Sequence, residues 1–152
     1  MLISDLLKAD QILLDLQSTD APGAIQEIAN LLQVNPSVTD FDDFYQELLA
    51  REKVESTCLG NGVAFPHART DHIKSMVLAV GRSKAGIPFQ NGSQIVHLLF
   101  VIGTPKRMAT DYLSVVGGLA RLLKEEKLRN QLLAAPDVSA FVQIIAAGEK
   151  KF

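Results

Sequence analysis

The sequence is poor in cysteine and has no long apolar segment. Cys58 is the only cysteine in 152 residues, so the chain cannot close an internal disulfide. Its apolar runs, such as Leu98 to Ile102, are far shorter than the roughly 18 residues that a membrane helix needs. The N-terminal MLISDLL is interrupted by Asp5 and has no basic residue before it, unlike a secretory signal. These absences predict a cytoplasmic protein without direct membrane insertion.

The chain also lacks an excess of charge of either sign. Fifteen basic and seventeen acidic side chains leave a net charge of −2, so the basic footprint of a nucleic-acid-binding protein is missing. We therefore expect protein partners and no nucleic acid. A length of 152 residues with 47% hydrophobic residues predicts a single domain over residues 1–152, with a sizeable core.

Four segments repeat apolar residues at the spacing of a helix that packs on a core. The first is predicted to begin at Asp20. The second follows Thr39, which has an acidic residue three positions later as in a capping box, and is predicted to end close to Arg51. The third begins at about Thr110 and the last at Asp137. The residues predicted to face the core are Ile25, Ile28, Ala29 and Leu32; Phe41, Phe44, Tyr45 and Leu48; Leu113, Val116, Ala120 and Leu123; and Val138, Phe141, Val142 and Ile145.

Two segments between the helices read as strands. Met76 to Ser83 and Gln94 to Gly103 are aliphatic or β-branched on both alternating faces, as in central strands covered from two sides. Gly86 to Gly92 contains Pro88 and an Asn-Gly pair, which predicts a loop or a short edge strand. This order of elements predicts an α/β sandwich, in which a central mixed β-sheet is flanked by helices on both faces.

One histidine stands out in the stretch REKVESTCLGNGVAFPHAR, from Arg51 to Arg69. His67 follows Pro66 in what we expect to be a glycine-containing loop that exposes the imidazole to a partner. Near pH 7 an imidazole is mostly neutral, so one ring nitrogen keeps a lone pair that can attack phosphorus or hold a metal. A histidine that only caps a loop by hydrogen bonds is the plainer alternative.

The same stretch resembles the phosphorylation-site signature of the type 2 EIIA domains of the bacterial phosphoenolpyruvate-dependent sugar phosphotransferase system. This branch comprises the fructose, mannitol and nitrogen-regulatory domains. The signature is LGNGVAFPHAR, with REK upstream, and an LLF strand at Leu98 to Phe100 and an LARLL helix at Leu119 to Leu123 follow in the expected order. The resemblance implies that His67 accepts a phosphoryl group from a histidine phosphocarrier protein and passes it on, without a cofactor.

Phosphoryl transfer depends on the in-line positioning of the reacting groups and on hydrogen-bond donors to the phosphoryl oxygens. The candidate site residues are therefore the hydrogen-bond donors near His67. The resemblance places Arg51 beside the site, where a guanidinium can hold two oxygens; a solvated arginine at a helix C-terminus is the alternative. Ser56 and Thr57 offer hydroxyls or form a turn. Backbone N–H groups at Gly60, Asn61 and Gly62 are candidates for an anion-binding nest, and Glu52 is expected to be a structural partner that holds a backbone amide or a base in place.

The sequence departs from the resemblance at one position. A second histidine usually lies near the start of the helix that contains LARLL, and counting back from Leu119 puts Tyr112 in its place. A shift of one residue would put the carboxylate of Asp111 there instead. A phenol can donate a hydrogen bond to a phosphoryl oxygen but cannot become a cation, so its stabilisation of a dianion is weaker. Tyr112 is therefore a candidate helper whose chemistry differs from that of the family.

The remaining candidates receive structural interpretations. His72 follows His67 by five residues, a spacing that does not bring both side chains to one helix face, and the sequence suggests no acidic cluster to complete a metal set. We therefore expect no metal. His97 lies in an apolar strand and is expected to be a hydrogen-bonded core or edge histidine. Cys58 has no visible base partner and is expected to be structural.

Two functions remain open. The first is a phosphocarrier, a component of the phosphotransferase system that works through a phosphohistidine at His67 and serves a sugar-transporter EIIB domain. The second is a non-enzymatic module of the nitrogen-regulatory type that binds a regulatory target protein, with phosphotransfer weakened or lost because Tyr112 replaces the second histidine.

Overall fold

A mixed sheet of six strands forms the centre of the computed structural model, which describes residues 2–151. The strand order is β1-β5-β6-β3-β2, and β4 lies beside β6 in line with β3. β5 and β6 are antiparallel, whereas β1 runs parallel to β5, and β3 and β4 run parallel to β6. The strands are β1 (Ile12–Leu13), β2 (Cys58–Gly60), β3 (Val63–Ala64), β4 (His67–Thr70), β5 (Val77–Phe89) and β6 (Gln94–Pro105).

Helices cover both faces of this sheet, so the predicted α/β sandwich is confirmed. They are α1 (Ile3–Leu6), α2 (Ala21–Ala29), α3 (Phe41–Val54), α4 (Ala109–Leu123), α5 (Glu126–Ala134) and α6 (Val138–Glu149). Short 3₁₀ turns stand at Ala9–Gln11, Asn30–Val34, Gln90–Gly92 and Lys106–Met108. Within residues 2–151, none of the helices has both the length and the apolar character needed to cross a bilayer.

Successive side chains of β5 and β6 point to opposite faces of the sheet, so the core consists of two layers. Leu78 and Phe100 pack under α1, α4, α5 and α6, whereas Ala79 and Val101 pack under α2 and α3. All four side chains are at most 1% exposed. The expectation of two central strands that are apolar on both faces is therefore confirmed, because each face has its own helical layer.

The hairpin between β5 and β6 is longer than predicted. The predicted loop or short edge strand at Gly86 to Gly92 is wrong, because β5 continues to Phe89 and Ile87 pairs with Val96. The pairing register between β5 and β6 shifts between Arg82 and Ile87. The turn-forming residues therefore lie near an irregularity within the strand and do not end it.

The predicted core stripe of α4 is confirmed in part. Leu123 is buried, and Val116 and Ala120 pack against the core, but Leu113 is 68% exposed. Val115, Leu119 and Leu122, which were not predicted, are at most 1% exposed. Apolar residues stand on both sides of the true stripe, so the 3.6-residue period indicated a helix without fixing which face is buried.

Three helix starts and two unpredicted helices complete the comparison. Asp20 and Asp137 cap α2 and α6 by accepting from the N–H groups of Gly23 and Ala140, which confirms both predicted starts. The cap of α3 is Asp40, not Thr39. The sequence patterns did not predict α1, which has only four residues, or α5, in which five of nine residues are charged or polar and only Leu128 and Leu132 are buried.

Candidate functional site

A break between two short strands positions His67. β3 and β4 both pair with β6, and Phe65 and Pro66 separate them. Pro66 has no N–H to give to the sheet, but its carbonyl accepts from the Ile102 N–H at 2.9 Å, so the chain stays close to β6. His67 is thus the first residue of β4, paired with Ile102, and the expectation that it lies in a loop is wrong. The sheet fixes its backbone instead.

The His67 ring is held in one orientation. Its Nδ1 lies 2.9 Å from the Phe65 carbonyl oxygen, which can only accept, so Nδ1 carries the proton and Nε2 keeps the lone pair. Burial lowers the pKa of His67 below its ordinary value, and the charge of Arg51 acts in the same direction, against the Phe65 bond and the charge of Glu52. At neutral pH the half-buried ring therefore presents an unprotonated Nε2.

Tyr112 packs against this ring from the second turn of α4. The two ring centroids are 5.4 Å apart, with the planes inclined by 43°. Burial raises the pKa of Tyr112, against the lowering effect of the positive charges of Arg51 and Arg69. The phenol therefore stays protonated at neutral pH and remains a neutral hydrogen-bond donor.

Arg51 reaches the same place from the last turn of α3. It lines an open cavity of about 200 Å³ together with His67 and Tyr112, and its charge acts on both of them. Nη1 of Arg51 donates to the Glu55 carbonyl at 2.8 Å, so the side chain also caps its own helix. The other guanidinium N–H groups are free of protein hydrogen bonds among the residues that the structure describes.

The hydroxyls of Ser56 and Thr57 have different hydrogen-bond partners, although both residues line the cavity. The Thr57 hydroxyl donates to Glu52 Oε1 at 2.6 Å, and the Thr57 N–H donates to Glu52 Oε2 at 3.0 Å. This confirms that Glu52 holds a backbone amide. The Ser56 oxygen accepts from the Cys58 N–H at 3.3 Å, as in a turn, and the same hydroxyl acts on the Cys58 thiol, where it opposes the effect of burial on the pKa.

The glycine segment does not join these residues. Gly60, Asn61 and Gly62 form the tight turn between β2 and β3, and all three have positive φ. Gly60 and Asn61 line a different cavity, of about 310 Å³, with Ala120 and Leu123 of α4. None of the three is among the residues that line the His67 cavity. The glycines therefore serve the turn that brings β3 back beside β6.

Two other predicted structural residues occupy defined places. Cys58 lines the His67 cavity, and burial raises the pKa of its thiol, so it is protonated and unreactive at neutral pH. His97 Nδ1 lies 2.8 Å from the Ser83 carbonyl oxygen, which confirms a hydrogen-bonded strand histidine.

His72 has acidic neighbours that the sequence did not reveal. Its Nε2 lies 3.6 Å from Asp43 Oδ2 and 3.9 Å from Glu47 Oε1, and single ligand atoms of Asp40, Asp43 and His72 lie within 4.8 Å of one another. The expectation of no acidic cluster beside His72 is therefore wrong. The Thr39 N–H donates to the His72 carbonyl, and this contact brings the two segments together. Asp40 and Asp43 are exposed and lie at a helix N-terminus, whose dipole disfavours a cation.

Arg69 is a further cation near His67 that was not among the predicted site residues. It lies two residues after His67 on β4, and side chains at that spacing share one face of a strand. The alternation of side chains along a strand is the sequence signal from which Arg69 could have been predicted.

The arrangement suits the handling of a phosphoryl group: a neutral imidazole nitrogen lies in a small cavity beside a guanidinium, a phenol and a serine hydroxyl. Residues 5–148 match the family described as the phosphoenolpyruvate-dependent sugar phosphotransferase system, EIIA 2. The chain belongs to this EIIA 2 family. Members of the family are components of the phosphotransferase system.

Relatives of this EIIA 2 protein include sugar-specific components and nitrogen regulatory proteins. The fructose-specific EIIABC component of Bacillus subtilis is 32% identical over 151 residues, which are 99% of this chain but only 24% of that relative. The chain thus spans about a quarter of its length. A nitrogen regulatory protein of Pseudomonas aeruginosa is also 32% identical, over 92% of this chain and 96% of the relative.

A solved structure agrees with the fold of the EIIA 2 chain. The nitrogen regulatory protein IIA-Ntr of Neisseria meningitidis superimposes with a TM-score of 0.86 at 28% identity, over 94% of this chain and 98% of the other. The family, the fold and the names of the relatives all agree with the resemblance that the signature carries.

Proposed function

We propose that this EIIA 2 protein is a phosphocarrier, in which Nε2 of His67 accepts a phosphoryl group from a phosphorylated histidine carrier protein. The single observation that carries the proposal is the bond between His67 Nδ1 and the Phe65 carbonyl oxygen. This bond leaves the lone pair on Nε2, and burial keeps the ring neutral at neutral pH. No metal or cofactor is needed, because the reactive nitrogen is already unprotonated.

In the transfer step, the Nε2 lone pair attacks phosphorus while the bond between phosphorus and the carrier's ring nitrogen breaks. The electron pair of that bond returns to the carrier's nitrogen, and the phosphoryl group keeps its three oxygens. Positive charge develops on the His67 ring, and the Phe65 carbonyl stabilises it by accepting from Nδ1–H. No proton has to leave His67 during the step.

Arg51 and Tyr112 are proposed to bind the phosphoryl oxygens. Arg51 supplies a permanent positive charge with free N–H groups, and Tyr112 supplies one neutral O–H beside the ring. Ser56 adds a hydroxyl. We assign no phosphate-binding role to Thr57, whose hydroxyl donates to Glu52, or to the turn at Gly60, Asn61 and Gly62.

The next acceptor is proposed to be an EIIB domain, to which the family resemblance points. A second candidate is signalling by the phosphorylation state to a regulatory target protein. The nitrogen regulatory protein of Pseudomonas aeruginosa favours this candidate, because the chain covers 96% of its length.

Intact-mass measurement after mixing with a phosphorylated histidine carrier protein tests the proposal. We expect one acid-labile phosphoryl group on the wild-type chain, none on His67→Ala and one on the matched control His72→Ala. Nitrogen NMR of the imidazole should place the phosphorus on Nε2. Labelling that persists in His67→Ala, or a wild-type chain that takes up no phosphoryl group, would refute the phosphocarrier role.

A further inference from the structure

Arg69 projects from the same face of the sheet as His67. The Cα atoms of alternate residues on a strand are about 6.6 Å apart, which an arginine side chain can span. Ala68 between them is 4% exposed and packs in the layer under α2 and α3, whereas Phe65, two residues before His67, packs in the layer under α4. His67 and Arg69 therefore both point toward the α4 side.

The Arg69 side chain is held near the start of α4. Its Nη2 donates to the Lys106 carbonyl at 3.3 Å, in the turn that leads into the helix bearing Tyr112. The positive charges of both Arg51 and Arg69 act on the Tyr112 phenol. Two guanidinium groups thus act electrostatically on the Tyr112 phenol, and Arg51 comes from α3 whereas Arg69 comes from β4.

The present bond of Arg69 is easily exchanged. A long hydrogen bond from an exposed guanidinium to a neutral carbonyl is weak, whereas a bond to a phosphoryl oxygen is charge-assisted and stronger. Lys106 pairs with Asp71 at 3.4 Å, so that carboxylate has another cation beside it. A phosphoryl group on His67 would be the strongest acceptor offered to Arg69.

We propose that Arg69 is a second phosphoryl-binding guanidinium, which turns from the Lys106 carbonyl to the phosphoryl group on His67 and supplies the positive charge that the neutral Tyr112 lacks. The inference rests on the proposed phosphocarrier function and adds a residue to it. With Arg51 on one side and Arg69 on the other, two fixed positive charges face the dianion.

The test compares two phosphoryl donors. Phosphoramidate is a small donor that needs no docking surface, and the phosphorylated histidine carrier protein is the large one. Uptake is followed by intact mass at pH 7.5 for the wild type, Arg69→Gln, Arg69→Lys and the matched control Arg107→Gln. Arg107 is also exposed and also donates to a single backbone carbonyl, that of Lys74.

We expect Arg69→Gln to slow uptake about tenfold with both donors, as the loss of one charged hydrogen bond does. Arg69→Lys should lie between Arg69→Gln and the wild type, and Arg107→Gln should stay within about twofold of the wild type. The thermal midpoint of Arg69→Gln should match that of the wild type, since the side chain is exposed.

Three results would overturn the inference while leaving the phosphocarrier role intact. They are wild-type rates in Arg69→Gln, equal slowing in Arg107→Gln, and slowing with the carrier protein alone, which would make Arg69 a docking residue. Failure of the wild-type chain to take up phosphoryl from either donor would instead refute the proposed function, and the inference would fall with it.

Discussion

Replacing Tyr112 by histidine is expected to speed phosphoryl uptake at pH 6 far more than at pH 8. The Tyr112 ring centroid lies 5.4 Å from that of His67, so an imidazole in its place can donate to the same phosphoryl oxygen. A charge-assisted hydrogen bond is about twice as strong as a neutral one, and a difference of about 1.4 kcal/mol in the transition state is about tenfold in rate. Only the protonated imidazole contributes this gain.

The pH dependence follows from the protonated fraction. With a reference pKa of about 6.5, roughly three quarters of an imidazole is protonated at pH 6 and about 3% at pH 8. Weighted by these fractions, the tenfold gain becomes about eightfold at pH 6 and about 1.3-fold at pH 8. Arg51 and Arg69 already act on the group at this position, so they lower the pKa of the new imidazole and make eightfold an upper value.

The assay is the initial rate of uptake from phosphoramidate, taken as the ratio of Tyr112→His to the wild type at each pH. The ratio removes the titration of His67, which both proteins share. Tyr112→Phe is the matched control, because it keeps the ring and removes the O–H; we expect it to be about fivefold slower at both pH values. Equal ratios at pH 6 and pH 8, or wild-type rates in Tyr112→Phe, would show that the side chain at this position does not donate to the phosphoryl group.

Three further outcomes are expected. Arg51→Lys keeps the positive charge but loses the two parallel N–H donors of the guanidinium, so phosphoryl uptake should slow about tenfold while the midpoint of urea unfolding barely moves. An unchanged rate would show that Arg51 does not bind the phosphoryl group. Arg82→Met should lower the free energy of unfolding by about 3 kcal/mol in urea titrations, because Arg82 is 5% exposed and donates to the carbonyls of one loop and of the end of α5. The matched control Arg129→Met, which removes a more exposed helix cap, should lose less than about 1 kcal/mol, and equal losses would contradict the argument. Because burial lowers the pKa of His67, the unfolded chain binds the extra proton first, so stability should fall as the pH drops from 7 to 5 and fall less in His67→Gln; parallel curves would contradict this.

Much of the secondary structure could be predicted because its causes are local. The starts of α2 and α6 depend on Asp20 and Asp137, whose carboxylates cap N–H groups three residues away. β5 and β6 carry apolar residues on both faces, which marks a covered strand wherever it packs. Where the local signal was ambiguous the prediction failed: apolar residues flank the α4 stripe on both sides, and Leu113 proved exposed.

The sequence by itself determined the family signature, the sandwich class and the candidate histidine, because these depend on residue type and short spacing. Only the tertiary structure decided how His67 is oriented and what surrounds it. The Phe65 carbonyl determines which ring nitrogen keeps the lone pair, Arg51 and Tyr112 come from helices about 16 residues before and 45 residues after His67, and Arg69 shares its strand face. Contacts between residues so far apart depend on which helix face meets which strand. Hydrophobic periodicity limits which helix faces can pack on the sheet, but the packing of the two core layers decides which face does.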